Sequence, residues 1–375
     1  MDNLNNLQSK IRRFQFDISS LLRIFPFMQW LPHLKRDNLR PDLEAGLISA
    51  ILILPQSIAL STLAGMPPEY GIYTSIFPVI IASFWGSSWH ALSGPNTAVC
   101  VLIAYSVAPF ANVGGEYYVG FVLAMTFMVG VIQFCLGIFK LGAILDFISN
   151  TVISAIILAV AFVMIVSSFG DFFGVLTNLD EPFFVKIYQI INSLPEANIF
   201  TVIVGSITVA TGIYVKRFNR RYALVFAVLA GTVAALLLNL FFGYANSDIK
   251  MVGYLSLSAL PFSTPNLNLE SMSVLNQLVG SAFAIAFLGL MQSVLIARSL
   301  AAKSGQRIDT NQEIIGQGVS NLTAPFLSSF ASAGSFNRSA AHYDAGAKTP
   351  MAVLYASVFL AIVAMSASSL IAYVP

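Results

Sequence analysis

Apolar residues in this chain come in long runs, at roughly 43–63, 69–85, 96–111, 117–138, 147–169, 198–215, 222–243, 274–297, 312–327, 335–347 and 350–373. Polar residues are confined to the short segments between them. About 20 mostly apolar residues carry a helix across a bilayer, and a helix that is apolar all round has no face for water. The pattern therefore predicts an all-α polytopic membrane protein of eleven segments. Three runs stand apart. Those beginning near Asn96 and Ser335 are short and preceded by Gly or Pro, and the one near 312 is short and polar at its start. Short, interrupted hydrophobic segments in corresponding halves of a chain point to a transporter binding site.

Composition agrees with this picture. Of 375 residues 57% are hydrophobic and 10% are charged, against roughly 25% charged in soluble domains. So few charges do not cover a water-facing surface. The net charge of +2 is scattered into connecting segments, so the sequence offers no nucleic-acid-binding face. The positions of Lys and Arg set an orientation. With the N-terminus inside, the inner connections carry Lys140, the group Lys216, Arg217, Arg220 and Arg221, and the group Arg298, Lys303 and Arg307. The connection between the fifth and sixth runs then lies outside and is mostly acidic, with Asp171, Asp180, Glu181 and Glu196. Residues 1–40 read as a cytosolic N-terminal arm without a signal peptide, and residues 19–34 as a segment lying along the membrane interface. Cys100 and Cys135 read as buried apolar thiols. His33, His90 and His342 are far apart and form no ligand set, so neither a metal nor a cofactor is expected.

A faint internal repeat adds to the signal. Leu54, Gln56 and Ser57 match Leu290, Gln292 and Ser293 at an offset of 236 residues, and Ser93–Thr97 resembles Ala333–Asn337 at a similar offset. Seven spans separate the two copies, so the repeats are inverted across the membrane. Each repeat then contributes one half-helix, and the two N-termini meet near the midplane. Such an arrangement supplies free backbone N–H groups and two positive dipole ends to an anion. Burying that anion elsewhere in hydrocarbon costs many kcal/mol. Asn96, Thr97, Ser335 and Asn337 add neutral hydrogen-bonding side chains. Arg338 stands in the first turn of the second half-helix, where position alone disfavours a cation. Intramembrane ionisable residues mark function by default, and the competing reading is an arginine that pairs with a carbonyl to hold helices together. Gln56, which reads as a substrate contact or an inter-helix hydrogen bond, follows Pro55, which is expected to break its helix and free carbonyls, and Leu60 lies one turn on as an apolar wall or as plain packing. Glu69 reads as solvated in an outer turn. Glu313 reads as a cap of the ninth segment. No nucleophile–base set, P-loop or metal motif appears, so the chain is not read as an enzyme.

The stretch Pro55–Tyr73, the segment Trp85–Pro95, the connection Ala301–Glu313 and the motifs Gly334–Ala340 and Ala345–Pro350 closely resemble the sulfate permease (SulP) family, from about residue 40 to the end. The resemblance implies two inverted seven-span repeats, with an anion held between the third and tenth spans. It maps residues 41–140 and 274–375 to a core domain, 141–245 to a gate domain and 246–273 to an extracellular loop. The gate's last spans and the family's cytosolic STAS domain are missing from this mapping. The family's anion site falls on Gln56, Leu60, Asn96, Asn337 and Arg338, and Thr97, Ser335 and Phe336 are carried with it as neighbours. Gln292 stands where many cation-coupled members have a carboxylate, so no sodium or proton coupling through it is expected. The function implied is secondary transport or exchange of small inorganic anions (sulfate, bicarbonate or chloride class) across the plasma membrane by an elevator-type movement. The partners implied are the anion, the bilayer and a second copy in a homodimer. The alternatives are a carrier of nucleobases or carboxylates on the same fold, and a truncated non-transporting membrane protein.

Overall fold

A computed structural model describes residues 26–142, 150–175, 183–219, 222–243 and 272–366, with residues 247, 249, 251, 257 and 261–265. The arm before residue 26 and most of the predicted outer loop 246–273 lie outside the described residues. Each of the eleven apolar runs holds a helix among its described residues. After a short turn of helix at Phe27–Trp30 come α1 (Arg36–Leu63), α2 (Pro68–Trp85), α3 (Thr97–Val107), α4 (Glu116–Ile138) and α5 (Asn150–Phe173). They are followed by α6 (Phe183–Ser193), α7 (Ile199–Phe218), α8 (Ala223–Phe242), α9 (Met272–Ser304), α10 (Thr310–Thr323), α11 (Phe336–Asp344) and α12 (Met351–Ser366). Five of the described helices are long and apolar enough to cross a membrane by themselves: α1, α4, α7, α8 and α9.

The helices sort into two groups. α10 lies along α4 and α2, α12 along α1 and α2, and α9 along α3 and α4. Without water to drive helices together inside a bilayer, close backbone approach by small residues does the packing. The α4–α10 contact shows it. A Cβ added at Gly318 would lie 2.5 Å from the Phe134 backbone nitrogen, and one at Gly130 would lie 2.4 Å from that of Leu322. α12 is moored to α1 by Asp42, which is fully buried. Its Oδ1 accepts from the Lys348 and Thr349 backbone N–H groups at 2.6 and 3.1 Å. α7 and α8 pack against each other, α7 also lies on α5, and among the described residues this group touches the first at few points.

Four expectations change. α1 runs unbroken from Arg36 through Pro41 and Pro55. Pro55 removes one donor, from the bond to the Ile51 carbonyl, and packing against α2 and α12 carries the helix across that gap. Cys135 is exposed on α4 rather than buried, and Cys100 is buried. The predicted acidic connection 171–196 contains α6, whose Ile190 is buried while Phe184, Tyr188 and Ile191 are exposed. Its 11 residues are too few to stand out as a span. Glu313 does not cap its own helix. Asp309 caps α10, accepting from the Asn311 and Gln312 N–H groups. Glu313 Oε2 instead accepts from the Ser87 and Ser88 N–H groups at 2.8 and 2.9 Å, which ties the first turn of α10 to the segment that follows α2.

Candidate functional site

The two short helices α3 and α11 are each entered by an extended segment, and the two segments run past one another. Ala333 N–H donates to the Gly94 carbonyl at 2.9 Å and Ser335 N–H to the Leu92 carbonyl at 3.2 Å. The Ser339 hydroxyl accepts from Leu92 N–H at 2.9 Å. These bonds set the N-termini of α3 and α11 side by side. Gly334 donates its N–H to the Ser293 hydroxyl at 2.8 Å, which ties the crossing to α9.

Behind the crossing lies a buried polar network that the sequence reading missed. Gln317 accepts from the Ser93 hydroxyl at 2.7 Å and donates to the Ser332 carbonyl at 2.8 Å. Asn321 accepts from Ser332 N–H at 2.8 Å and donates to Gln133 Oε1 at 2.8 Å. Gln133 donates to the Ala286 carbonyl at 3.1 Å. Five elements (α4, α9, α10 and the segments before α3 and α11) are thus linked through side-chain amides. Buried polar groups demand partners, so this network fixes the crossing. The available signal was the run of amides on one α10 face, Gln317 and Asn321, four residues apart.

The predicted residues take distinct places. Asn96 is the N-cap of α3. Its Oδ1 accepts from Ala98 N–H at 3.0 Å, and its Nδ2 donates to the Gly334 carbonyl at 2.7 Å. Most of its amide is therefore committed to the crossing. Ser335 is the N-cap of α11 but makes no side-chain cap bond, so the first N–H groups of α11 have neither an intrahelical nor a capping partner. Gln56, Asn337 and Arg338 line one cavity of about 30 Å³, together with Ser49, Ile53 and Ala341. Leu60 belongs to the apolar wall that includes Val99 and Ile103 of α3. Thr97 is half-buried at the start of α3, and Phe336 is exposed. Gln292 is not on this cavity. It is buried in α9, and its Oε1 has no hydrogen-bond partner.

Arg338 decides the electrostatics. It is 4% exposed and its guanidinium donates to the Pro95 carbonyl. The group lies flat over Gly94, where a Cβ would come within 2.8 Å of Nη1. Gly94, at φ 138°, adopts a conformation that only glycine holds easily. Arg338 Nε is buried without a partner. Among the described residues the single ion pair is Arg40–Glu44, so no carboxylate lies within 4.0 Å of this guanidinium. Arginine is charged at any accessible pH, and taking an ion out of water costs several kcal/mol unless it is compensated. The carbonyl bond predicted by the competing reading is present, yet it leaves the charge without a counter-charge. One cation and the open N-terminus of α11 thus converge on the same small cavity, an arrangement complementary to a small anion.

A family model described as the sulfate permease family matches residues 39–375. Prestin of Tursiops truncatus is 28% identical over 388 residues, covering 96% of this chain and 51% of that protein. Sulfate transporter 4.1, chloroplastic, of Arabidopsis thaliana is 26% identical over 377 residues, covering 98% of this chain and 53% of that protein. The chain thus spans about half the length of the curated relatives it matches. The transmembrane domain of the cyanobacterial bicarbonate transporter BicA superimposes with a TM-score of 0.79 at 19% identity, covering 91% of this chain and 86% of that one.

Proposed function

The chain belongs to the sulfate permease family, and from that membership and the geometry of its site we propose that it carries small inorganic anions across a membrane by secondary transport or exchange. The observation that carries the reading is the buried, unneutralised Arg338 guanidinium beside the free N–H groups of α11. Arg338, Asn337 and Gln56 contact the anion, Leu60 walls it, and Asn96, Thr97, Ser335 and Phe336 shape its entry. The anion belongs to the sulfate, bicarbonate or chloride class. The Arabidopsis relative, named a sulfate transporter, and the BicA neighbour, named a bicarbonate transporter, support that range. Carriage, not a chemical reaction, is the activity.

Movement is of the elevator type. The group α1–α4 with α9–α12 acts as the moving core, and α5, α7 and α8 act as the gate it slides against. Few contacts join the two groups, which favours sliding. Gln292 carries no charge, and a neutral amide is a weak sodium ligand and no proton carrier, so coupling to either gradient does not run through it. The N-terminus lies in the cytoplasm, the membrane is the plasma membrane and the working unit is a homodimer.

The test is uptake into liposomes containing the chain, with labelled sulfate, bicarbonate and chloride, with and without sodium and pH gradients. Uptake of one anion that Arg338→Ala reduces by at least about a hundredfold is expected, because hydrogen bonds to a buried charge contribute about 1.5–3 kcal/mol each. Retained uptake in a folded Arg338→Ala protein would sink the assignment of the site. A sodium or proton requirement abolished by Gln292→Ala would sink the coupling statement.

A further inference from the structure

A second cavity lies apart from the one that holds Arg338 and is much larger than it. It has a volume of about 900 Å³ and opens where the turn of helix at Phe27–Trp30, the α2–α3 connection, the α9–α10 connection and the α11–α12 connection meet. Its framework is closed on itself. Gln306 accepts from Trp89 N–H at 3.0 Å and donates to the Ser87 carbonyl at 2.7 Å. Asp309 N–H donates to the Ser87 hydroxyl at 2.8 Å, and the Asp309 carboxylate is taken up in capping α10. These groups are committed to holding the loops.

What remains uncommitted in the wall has one character. Lys303, Arg307 and Lys348 line the cavity and are exposed, and none is in an ion pair with a described residue. Three cations therefore face one carboxylate that is already engaged. Two buried nitrogens also lack partners. Trp30 and His90 both line the cavity and both are 4% exposed, and Trp30 Nε1 and His90 Nδ1 make no hydrogen bond. Leaving a buried polar atom unmatched costs about 1–3 kcal/mol. Both rings are held in place, Trp30 against Phe84 with centroids 6.4 Å apart and His90 against Tyr343 with centroids 5.1 Å apart. A ligand with several acceptor oxygens answers both features, since it neutralises the cations and accepts from the indole N–H. The volume is about thirty times that of the Arg338 cavity and falls in the range of sites for organic ligands.

We propose that this cavity is a second anion site, distinct from the transport site, which binds a phosphomonoester or polyphosphate group carried on a larger body. Lys303, Arg307 and Lys348 contact the phosphate oxygens, Trp30 Nε1 donates to one of them, and His90 completes the wall. Such a group comes either from a soluble phosphorylated metabolite or from a lipid headgroup.

The chain contains three tryptophans, Trp30, Trp85 and Trp89. Two line this cavity and the third ends the adjoining helix, so intrinsic fluorescence reports on it directly. The experiment titrates inorganic pyrophosphate and adenosine triphosphate into the chain in detergent micelles, with sulfate at matched ionic strength as the control. A parallel arm mixes in lipid carrying phosphatidic acid, against phosphatidylglycerol, which has equal charge at one ionisation but only a diester. A saturable change with pyrophosphate or adenosine triphosphate assigns the soluble source, and a change with phosphatidic acid alone assigns the lipid source. Either supports the site provided that the triple substitution Lys303→Gln, Arg307→Gln, Lys348→Gln weakens it by at least about tenfold. These side chains are exposed, so the variant is expected to fold, which size exclusion checks. Trp30→Phe keeps the ring and removes the donor, and it weakens binding as followed through the remaining two tryptophans. No saturable change with any of the three probes overturns the proposal. So does an equal response to sulfate, or a response that the triple variant retains. The readout does not involve transport, so its failure is separable from failure of the transport reading.

Discussion

The two groups of helices in this chain have similar hydropathy and opposite packing. In α1, α4 and α9, 56% of the most apolar stretch is buried inside the protein, against 28% in α8 and 6% in α7. α7 and α8 present Ile213, Tyr214, Leu237 and Leu240 outward, as helices facing lipid do. The first group holds nearly all the buried polar residues, among them Gln133, Gln317, Asn321 and Arg338. Hydropathy therefore says that a segment sits in the membrane without saying whether it faces lipid or protein. Polar residues and glycines inside the apolar runs make that distinction, because lipid satisfies neither a buried amide nor a backbone gap.

The comparison is tested hardest at glycine. Gly318→Ala places a Cβ 2.5 Å from the Phe134 backbone nitrogen, and backbone on both sides leaves little room to yield. We expect a loss of about 3 kcal/mol, at the upper end for an overpacked core, measured by denaturant titration in detergent. At Gly212 of α7 the same change meets only the Ala227 Cβ at 3.4 Å, and stability is expected to hold or rise slightly from the gain in helix propensity. Equal losses at the two sites would erase the distinction drawn here.

Next in size is Asn321→Ala. It removes the acceptor of Ser332 N–H and the donor to Gln133 Oε1, leaving buried groups unmatched, at about 2 kcal/mol. The loss is expected in thermal unfolding and, because the network backs the crossing, in anion uptake as well. Asn239 is the sole buried amide of α8 and bonds to Ser247. Its substitution by Ala is expected to lower stability while leaving uptake by the folded protein unchanged.

Both the helical, membrane-embedded class and the two half-helices were readable from the sequence, because run length and the Gly-Pro and Gly-Ser breaks at 94–95 and 334–335 are local signals. The convergence of Gln56, Asn337 and Arg338 was readable too, through the resemblance and the faint repeat. What was not readable depends on distance in sequence. Glu313 reaches Ser87 across 226 residues, and nothing near either residue announces the bond. The fate of Pro55 was misjudged because a proline breaks an isolated helix, whereas packing on both sides carries α1 through it. α6 was missed because 11 residues of two-faced helix look like a polar connection when counted for spans.

A smaller effect concerns His90. Burial, with the nearby Lys348 charge, pushes its imidazole down to about 4. His342 and Tyr343 of α11 face it as well. The folded protein therefore holds His90 neutral, while an unfolded chain takes up a proton near the ordinary value of about 6.5. The stability this confers is full above about 6.5 and is lost as pH falls toward 4. Melting in detergent at about pH 7 and pH 5 is expected to show the loss, and His90→Gln to reduce the difference.

The smallest effect belongs to the outward face of α8. Leu240 is 79% exposed, as expected of a side chain that faces lipid. Leu240→Val removes one methylene from a side chain that leaves no cavity behind it, so only the transfer term applies, and lipid replaces the lost contacts. The change is expected within about 0.5 kcal/mol of zero. Leu290 of α9, 1% exposed, is the matched control. Leu290→Val opens space between helices that cannot close fully, and it is expected to cost about 1 kcal/mol. If Leu240→Val costs as much as Leu290→Val, the outer face of α8 is covered by protein rather than lipid, and crosslinking of copies through this face then identifies whether a second chain supplies the cover.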